Sequence, residues 1–205
     1  MKKILFLSVG IAVILSQSAS ATLLESWENT LGGWTVANAN YTSAFSSSLG
    51  VTAGTYSLAL TGTAGPDYGG MLYTTYQSSY TTELASSTAV TMDVYTPSGS
   101  FGYYLQTQLW INNADTGYQQ LTGYLSTTIG SETTLTFAIP SAIAATLASS
   151  SNPTQIGFQM GGGYTAGNET MYLDNLQTVP VPEPGTMALM SVGFAGLMLI
   201  RRRVS

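Results

Sequence analysis

Histidine and cysteine are both absent from the 205 residues, and charged side chains make up only 7% of them. Without an imidazole base or a thiol, neither a Ser-His-Asp nor a Cys-His nucleophile system can be assembled. A zinc site would have to use carboxylates alone, against the usual preference for nitrogen and sulfur, and no disulfide can brace the fold. Basic side chains are missing from nearly the whole chain: Lys2, Lys3, Arg201, Arg202 and Arg203 are all there are. The stretch 22–183 therefore holds all ten carboxylates and no cation, a formal charge near −10. Nucleic-acid binding depends on Lys and Arg neutralising phosphates, so it is excluded. Gly161-Gly162-Gly163 lacks the lysine and the strand-to-helix setting of a phosphate-binding loop. With no internal ion pair available, stability must come from apolar burial and hydrogen bonds, acting against carboxylate self-repulsion.

What the chain does have is short alternating runs between turn residues. Val90, Met92 and Val94 alternate with Thr91, Asp93 and Tyr95, and Leu135, Phe137 and Ile139 repeat the pattern. Breakers recur at Gly32-Gly33, Gly65-Pro66-Asp67, Pro97-Ser98-Gly99, Asn112-Asn113 and Gly161 to Gly163. Nine or ten such strands predict an all-β, antiparallel β-sandwich. Only Ser141 to Ala148 reads as helix, with Ser141 as its N-cap. A domain of this size buries roughly 70% of its unfolded surface and needs no staples.

The two ends follow different rules. Lys2 and Lys3 precede the apolar run Ile4 to Leu15, followed by Ser16 to Ser18 and then Ala19-Ser20-Ala21. This is the order of a secretory signal peptide, residues 1–21, with cleavage between Ala21 and Thr22. At the other end stand Val181-Pro182-Glu183-Pro184-Gly185-Thr186, then fourteen uncharged residues from Met187 to Ile200, then Arg201, Arg202 and Arg203. As a helix the fourteen would reach roughly 21 Å, a marginal span that snorkelling arginines would extend. The arginines would hold that end on the cytoplasmic side. Pro182 and Pro184 keep the approach extended and open to a protease.

That order of proline-acid-proline, short apolar helix and basic cluster resembles the PEP-CTERM sorting signal of Gram-negative bacteria that make extracellular polysaccharide, here residues 179–205. The resemblance implies an exosortase-type membrane protease as partner, transient membrane attachment through the C-terminal helix, and delivery to the cell envelope, surface or extracellular matrix. An ordinary C-terminal anchor is the other reading.

A second resemblance covers the stretch between, residues 22–178. Trp27-Glu28 and Gly33-Trp34 in "LLESWENTLGGWTV", "GTYSLALTG" at Gly54 to Gly62 and "MYLDNLQ" at Met171 to Gln177 resemble, in order, conserved strands of galactose-binding-like jelly-roll carbohydrate-binding modules. It implies that the first and last strands lie together and that one structural Ca2+ bridges them. The matching positions are Glu28 and Asp174, with a backbone oxygen near Ser26; calcium asks for six to eight oxygens. The segment Val51 to Thr55 has no acid where many relatives supply one, and two surface turn carboxylates are the competing account.

For a ligand face the informative run is Phe101 to Asn112. One parity, from Phe101 and Tyr103 to Leu109 and Ile111, suits a core. The other gives Tyr104, Gln106, Gln108 and Trp110, with Asn112 beyond, as an outward face. Exposed aromatic planes take the apolar face of a pyranose, and amides both donate to and accept from its hydroxyls. Tyr118, Gln119 and Gln159 would extend the face toward an extracellular polysaccharide. A plain solvent-facing strand surface, or a bulge that turns Trp110 inward, also fits these residues. Glu83, Asp93, Asp115, Glu132 and Glu169 offer carboxylates for a glycosidase, but no spacing selects two of them, so no enzyme is expected.

Overall fold

Period-two alternation along the chain becomes two antiparallel sheets packed face to face. The computed structural model describes residues 20–37, 41–62, 70–99, 105–162 and 169–182. Among the described residues the strands are β1 (Leu23–Glu25), β2 (Trp34–Val36), β3 (Tyr41–Ser46), β4 (Ser57–Gly62), β5 (Gly70–Thr74), β6 (Ser87–Tyr95), β7 (Leu105–Asn113), β8 (Gly117–Gln120), β9 (Leu125–Ser126), β10 (Glu132–Ala138), β11 (Gln155–Gly162) and β12 (Glu169–Pro180). Two helices, α1 (Ser78–Ala85) and α2 (Ser141–Ser149), connect one sheet to the other. The first sheet runs β10-β6-β12-β4-β3, with β1 also on β12; the second runs β2-β5-β11-β7-β8, with β9 also on β7. As the resemblance implied, the first and last strands lie together: Leu23 is opposite Gln177, and Glu25 is opposite Leu176 across a register shift.

Ser20–Val181 form one compact unit. A second unit, Met1–Ala19 with Pro182–Ser205, lies outside the described residues except for Pro182. The expected leader and apolar C-terminal helix fall there. Among the described residues no helix is long and apolar enough to cross a membrane.

The alternating runs supply the core. Val90, Met92 and Val94 on β6 pair with Phe137, Leu135 and Thr133 on β10, and all but the last are buried to 4% exposure or less. The second sheet contributes Trp34, Leu72, Leu109, Ile111, Ile156, Phe158 and Met160 to the same cluster. Each fully buried side chain of this size contributes about 1.5–3 kcal/mol relative to exposure. Trp27 and Trp34, the aromatics of the first sequence motif, are both in this core, with ring centroids 5.6 Å apart.

Three local expectations need correction. Helix α1 has no strong local signal, because Ser-Ser-Tyr-Thr-Thr is a poor helix former; burial of Tyr80, Thr81 and Leu84 on one side organises it. In α2 the N-cap is Pro140, whose carbonyl accepts from Ala144 N at 3.1 Å, and Ser141 is the first helical residue. Asn112-Asn113 does not break β7. Asn113 is buried, and its Nδ2 donates to Asn152 O at 2.9 Å and Thr154 Oγ1 at 3.1 Å, so a polar residue ends the strand without leaving it. The turn falls at 114–116 instead.

Candidate functional site

Strand pairing fixes which side chains share the outer face of the second sheet. Thr35 pairs with Tyr73, Tyr73 with Gly157, Gly157 with Trp110 and Trp110 with Gln120, a row across five strands. Beside it runs Gln155–Asn112–Tyr118, and on its other side the pair Gln159–Gln108. The next row is Gly161–Gln106–Ser126. These positions alternate with core residues: Thr107, Leu109 and Ile111 of β7 are fully buried on the inner side. The parity expected for β7 is therefore the observed one over its described residues, and no bulge turns Trp110 inward. Tyr104 lies outside the described residues.

The face is less open than its sequence indicated. Trp110 is 8% exposed because its indole lies over Gly157, where a Cβ would come within 1.9 Å of the ring, and because Tyr118 packs on it at a centroid distance of 5.3 Å. Only glycine at 157 leaves room for the ring to lie flat on the neighbouring strand. Tyr118 itself is 51% exposed, so it presents the accessible aromatic surface, with Trp110 as its backing. Partial burial, aided by the nearby Tyr124, raises the Tyr118 phenol above its usual range against the opposing hydrogen bond to Gln120. The phenol is neutral and able to donate throughout the physiological range. Asn112 Nδ2 donates to Tyr76 Oη at 2.7 Å, tying a second exposed tyrosine to the face.

Amides complete it. Gln155 Nε2 donates to Thr74 O at 2.8 Å, which fixes one side chain against the sheet. Gln108 is almost fully buried, and its Oε1 has no hydrogen-bond partner, although Nε2 donates to Thr122 O at 3.5 Å. Gln106 and Gln159 are half-buried. Gln119, expected here, pairs with core residue Ile111 and has the opposite parity; its Nε2 donates to Thr116 O at 2.7 Å. Tyr73, Tyr76 and Gln155 belong to the face but were not singled out by sequence reading. Only strand pairing brings them together, since they come from separate segments.

The described carboxylates lie elsewhere. Glu83 is on α1, Asp93 on β6, Asp115 in the β7–β8 turn and Glu132 on β10; Glu169 begins β12. None belongs to the rows on the outer face of the second sheet. A cavity of about 470 Å3 between α1 and α2 is lined by hydroxyls such as Ser78, Thr81, Thr82 and Ser150, and carries no aromatic platform.

The two positions matched to calcium are occupied in another way. Asp174 is fully buried; its Oδ2 accepts from Thr52 N at 2.6 Å, Ala53 N at 2.7 Å and Thr52 Oγ1 at 3.3 Å, and its Oδ1 from Asn175 N at 2.7 Å. Glu28 accepts from Thr55 N through both oxygens, at 3.1 and 3.0 Å. Gly54, at φ +66°, lets the loop close on that carboxylate, since a Cβ there would meet Glu28 Oε1. One loop thus turns N–H groups toward both acids. Donors aimed at a carboxylate take up the lone pairs a cation would need and repel it, so these residues do not fit Ca2+. Among the described residues no group of three or more acids could hold a metal.

Of the processing positions, Ala21 and Pro182 are exposed and Thr22 is half-buried. Glu183, Pro184, Arg201, Arg202 and Arg203 lie outside the described residues.

Comparison with known proteins finds two separate likenesses. Residues 180–203 match the PEP-CTERM protein-sorting motif. No curated protein sequence matches the chain. Among solved structures, the fold is similar to CBM27-1 of Caldicellulosiruptor saccharolyticus, solved with mannohexaose: TM-score 0.55, 17% identity, covering 81% of this chain and all (100%) of that one. It is also similar to the C-terminal family 22 carbohydrate-binding module of a Clostridium thermocellum protein, at TM-score 0.51 and 12% identity over 77% of this chain and 93% of that one. A third similar structure comes from work on carbohydrate-binding modules of the β-sandwich superfamily, at TM-score 0.50 and 17% identity; 75% of this chain matches it and spans only 60% of its length. The chain thus carries a PEP-CTERM sorting motif behind an antiparallel β-sandwich of the kind seen in carbohydrate-binding modules.

Proposed function

We propose that this is an exported, non-catalytic glycan-binding protein, delivered to the cell envelope or extracellular matrix and bound there to extracellular polysaccharide. The sorting motif supports processing by an exosortase-type membrane protease and temporary attachment through the segment at Met187 to Ile200. The observation that carries the ligand reading is the uncharged aromatic and amide face of the second sheet. Its platform is Tyr118 backed by Trp110, and its amides are Gln106, Gln108, Asn112, Gln155 and Gln159. A pyranose ring stacks on an aromatic plane while its hydroxyls exchange hydrogen bonds with amides that both donate and accept. The mannohexaose with which the similar CBM27-1 was solved belongs to the same chemical class.

Sheet location distinguishes this face from the outer side of the first sheet. There the loop 47–56 already lies across the strands, with Gly50 against Tyr172 and the loop amides on Asp174. Tyr118, by contrast, is 51% exposed.

The test is intrinsic fluorescence of the processed protein titrated with a panel of polysaccharides, beside a Tyr118→Ala variant. A saturable change in Trp110 emission, weakened tenfold or more by the substitution, is expected. A folded protein that gives no response to any glycan would leave a structural surface protein as the better description.

A further inference from the structure

The start of the mature domain is held in place by the sheet. Thr22 N donates to Thr178 Oγ1 at 3.1 Å, and Thr22 O accepts from Thr178 N at 2.9 Å, so residue 22 is pinned beside β12 ahead of β1. Ser20 and Ala21, just before it, are exposed. Thr22 also lines a pocket of about 270 Å3 whose other walls include Glu25 from β1, Gln77, and Tyr80 and Glu83 from α1. Two carboxylates therefore border a partly closed space at the chain position where the leader would be removed; Glu25 Oε1 already accepts from Ser26 N at 3.1 Å and Trp27 N at 2.9 Å, which leaves Glu25 Oε2 and Glu83 for a cation.

We propose that leader removal seats the new α-ammonium of Thr22 in this pocket, between Glu25 and Glu83, as the one cation of the sandwich. The proposal rests on the export reading and on cleavage between Ala21 and Thr22. In the uncut chain, nitrogen 22 is an uncharged amide with a single N–H, already given to Thr178. Hydrolysis of the Ala21–Thr22 bond leaves the leader with a carboxylate and Thr22 with an ammonium. Of its three N–H groups, one stays on Thr178 Oγ1 and two are available to the acids.

Nothing else in residues 22–182 can neutralise those acids, since the stretch has no Lys, Arg or His. The titratable groups that line the pocket with Thr22 are Glu25 on β1 and Glu83 and the Tyr80 phenol on α1; β12 carries no titratable side chain from Gln177 to Pro180. The negative potential of Glu25 already reaches into the pocket. Burial first and the Glu25 charge second raise Tyr80 above its usual range, against the hydrogen bond from Gln77. The same field that disfavours a phenolate favours an ammonium. Maturation thus adds a stabilising contact that the precursor lacks. Because the amine is raised in the folded state, that contact is fully present below the unfolded amine's titration range and is lost as pH rises through the folded one.

The sequence makes the measurement clean. Lys2 and Lys3 are the only lysines and leave with the leader, so the processed chain has one primary amine. The protein, recovered 15N-labelled from the producing envelope, is weighed, and its single amine is titrated by 15N NMR, folded and in urea. A mass beginning at Thr22 is expected, with the folded amine titrating about one unit above the unfolded one and returning toward it in Glu83→Gln. A mass beginning elsewhere would overturn the proposal through its premise. The expected mass with equal folded and unfolded titrations, unmoved by Glu83→Gln, would overturn the pocket contact while leaving the cleavage position standing.

Discussion

The indole of Trp110 lies across the backbone of Gly157 on the adjacent strand, so closely that a Cβ at 157 would stand 1.9 Å from Cζ2. That contact sets the height of the aromatic platform above the sheet. Gly157→Ala forces the ring outward or the strands apart, and overpacking of this sort costs about 1–3 kcal/mol. Thermal unfolding should show the loss, and Trp emission should shift to the red as Trp110 enters water. An unchanged melting temperature and spectrum would mean that the indole does not rest on Gly157.

Tyr118→Ala separates the binding role of the platform from its structural one. Tyr118 is half-exposed on an edge strand and contributes one aromatic pair, worth about 0.5–1.5 kcal/mol. Stability should therefore fall little, while acrylamide quenching of Trp110 rises because its cover is gone. Trp110→Ala, by contrast, removes a residue 8% exposed and should cost about 3 kcal/mol or more. If the two variants are equally destabilised, the division into cover and backing is wrong.

Asp174 makes the metal question testable. Its carboxylate is the acceptor for Thr52 N, Ala53 N and Asn175 N, so Asp174→Ala leaves three amides without their partner and should cost at least about 3 kcal/mol. Chelation with EDTA, and addition of calcium, should leave the melting temperature of the unaltered protein where it was. A fall on chelation that calcium restores would show that the ion displaces the loop amides.

How far the sequence led can be judged at particular residues. Alternation at Val90 to Val94 and Leu135 to Ile139 predicted core strands because a buried face imposes period two directly on the chain. Helix α1 stayed hidden because Tyr80 and Leu84 are organised by packing against the core rather than by local propensity. At the candidate site, the parity of β7 was readable, but the burial of Trp110 was not. It depends on Gly157 and Tyr118, which strand pairing alone brings to it. For the same reason, a resemblance could point to Glu28 and Asp174 without revealing that the amides of Thr52 to Thr55 close on them.

Asp115 supplies a prediction in pH. The hydroxyl of Ser150 and the amide of Asn152 both donate to its Oδ2, and these bonds hold the carboxyl below its usual range. A depressed carboxyl stabilises the fold above its unfolded titration range, and the contribution is lost as pH falls through the folded value. Ser150→Ala, which removes the hydroxyl donor, should move the Asp115 titration upward toward the ordinary aspartate range, followed by 13C NMR of the side-chain carboxyl. No movement would mean that the β7–β8 turn and the start of the α2–β11 connection are not joined through this group.

Charge makes the last prediction, about the kind of glycan. Residues 22–182 carry nine carboxylates, the ten of the chain less Glu183, and no basic side chain. The candidate face has no charge of its own, yet it sits in the summed negative field of the domain. A polysaccharide of uronic acids or sulfated sugars would approach against that field with no Lys or Arg to receive it, whereas a neutral glycan meets only the aromatic and amide contacts. Neutral polymers should therefore bind more tightly than acidic ones of similar backbone. Raising salt shortens the screening length from about 8 Å near 0.15 M, so it should narrow the gap by improving binding of the acidic polymer alone. Chemical reduction of the uronates to neutral sugars should close the gap at low salt as well. Preference for the acidic polymer at low salt would instead require a bridging cation or a different face.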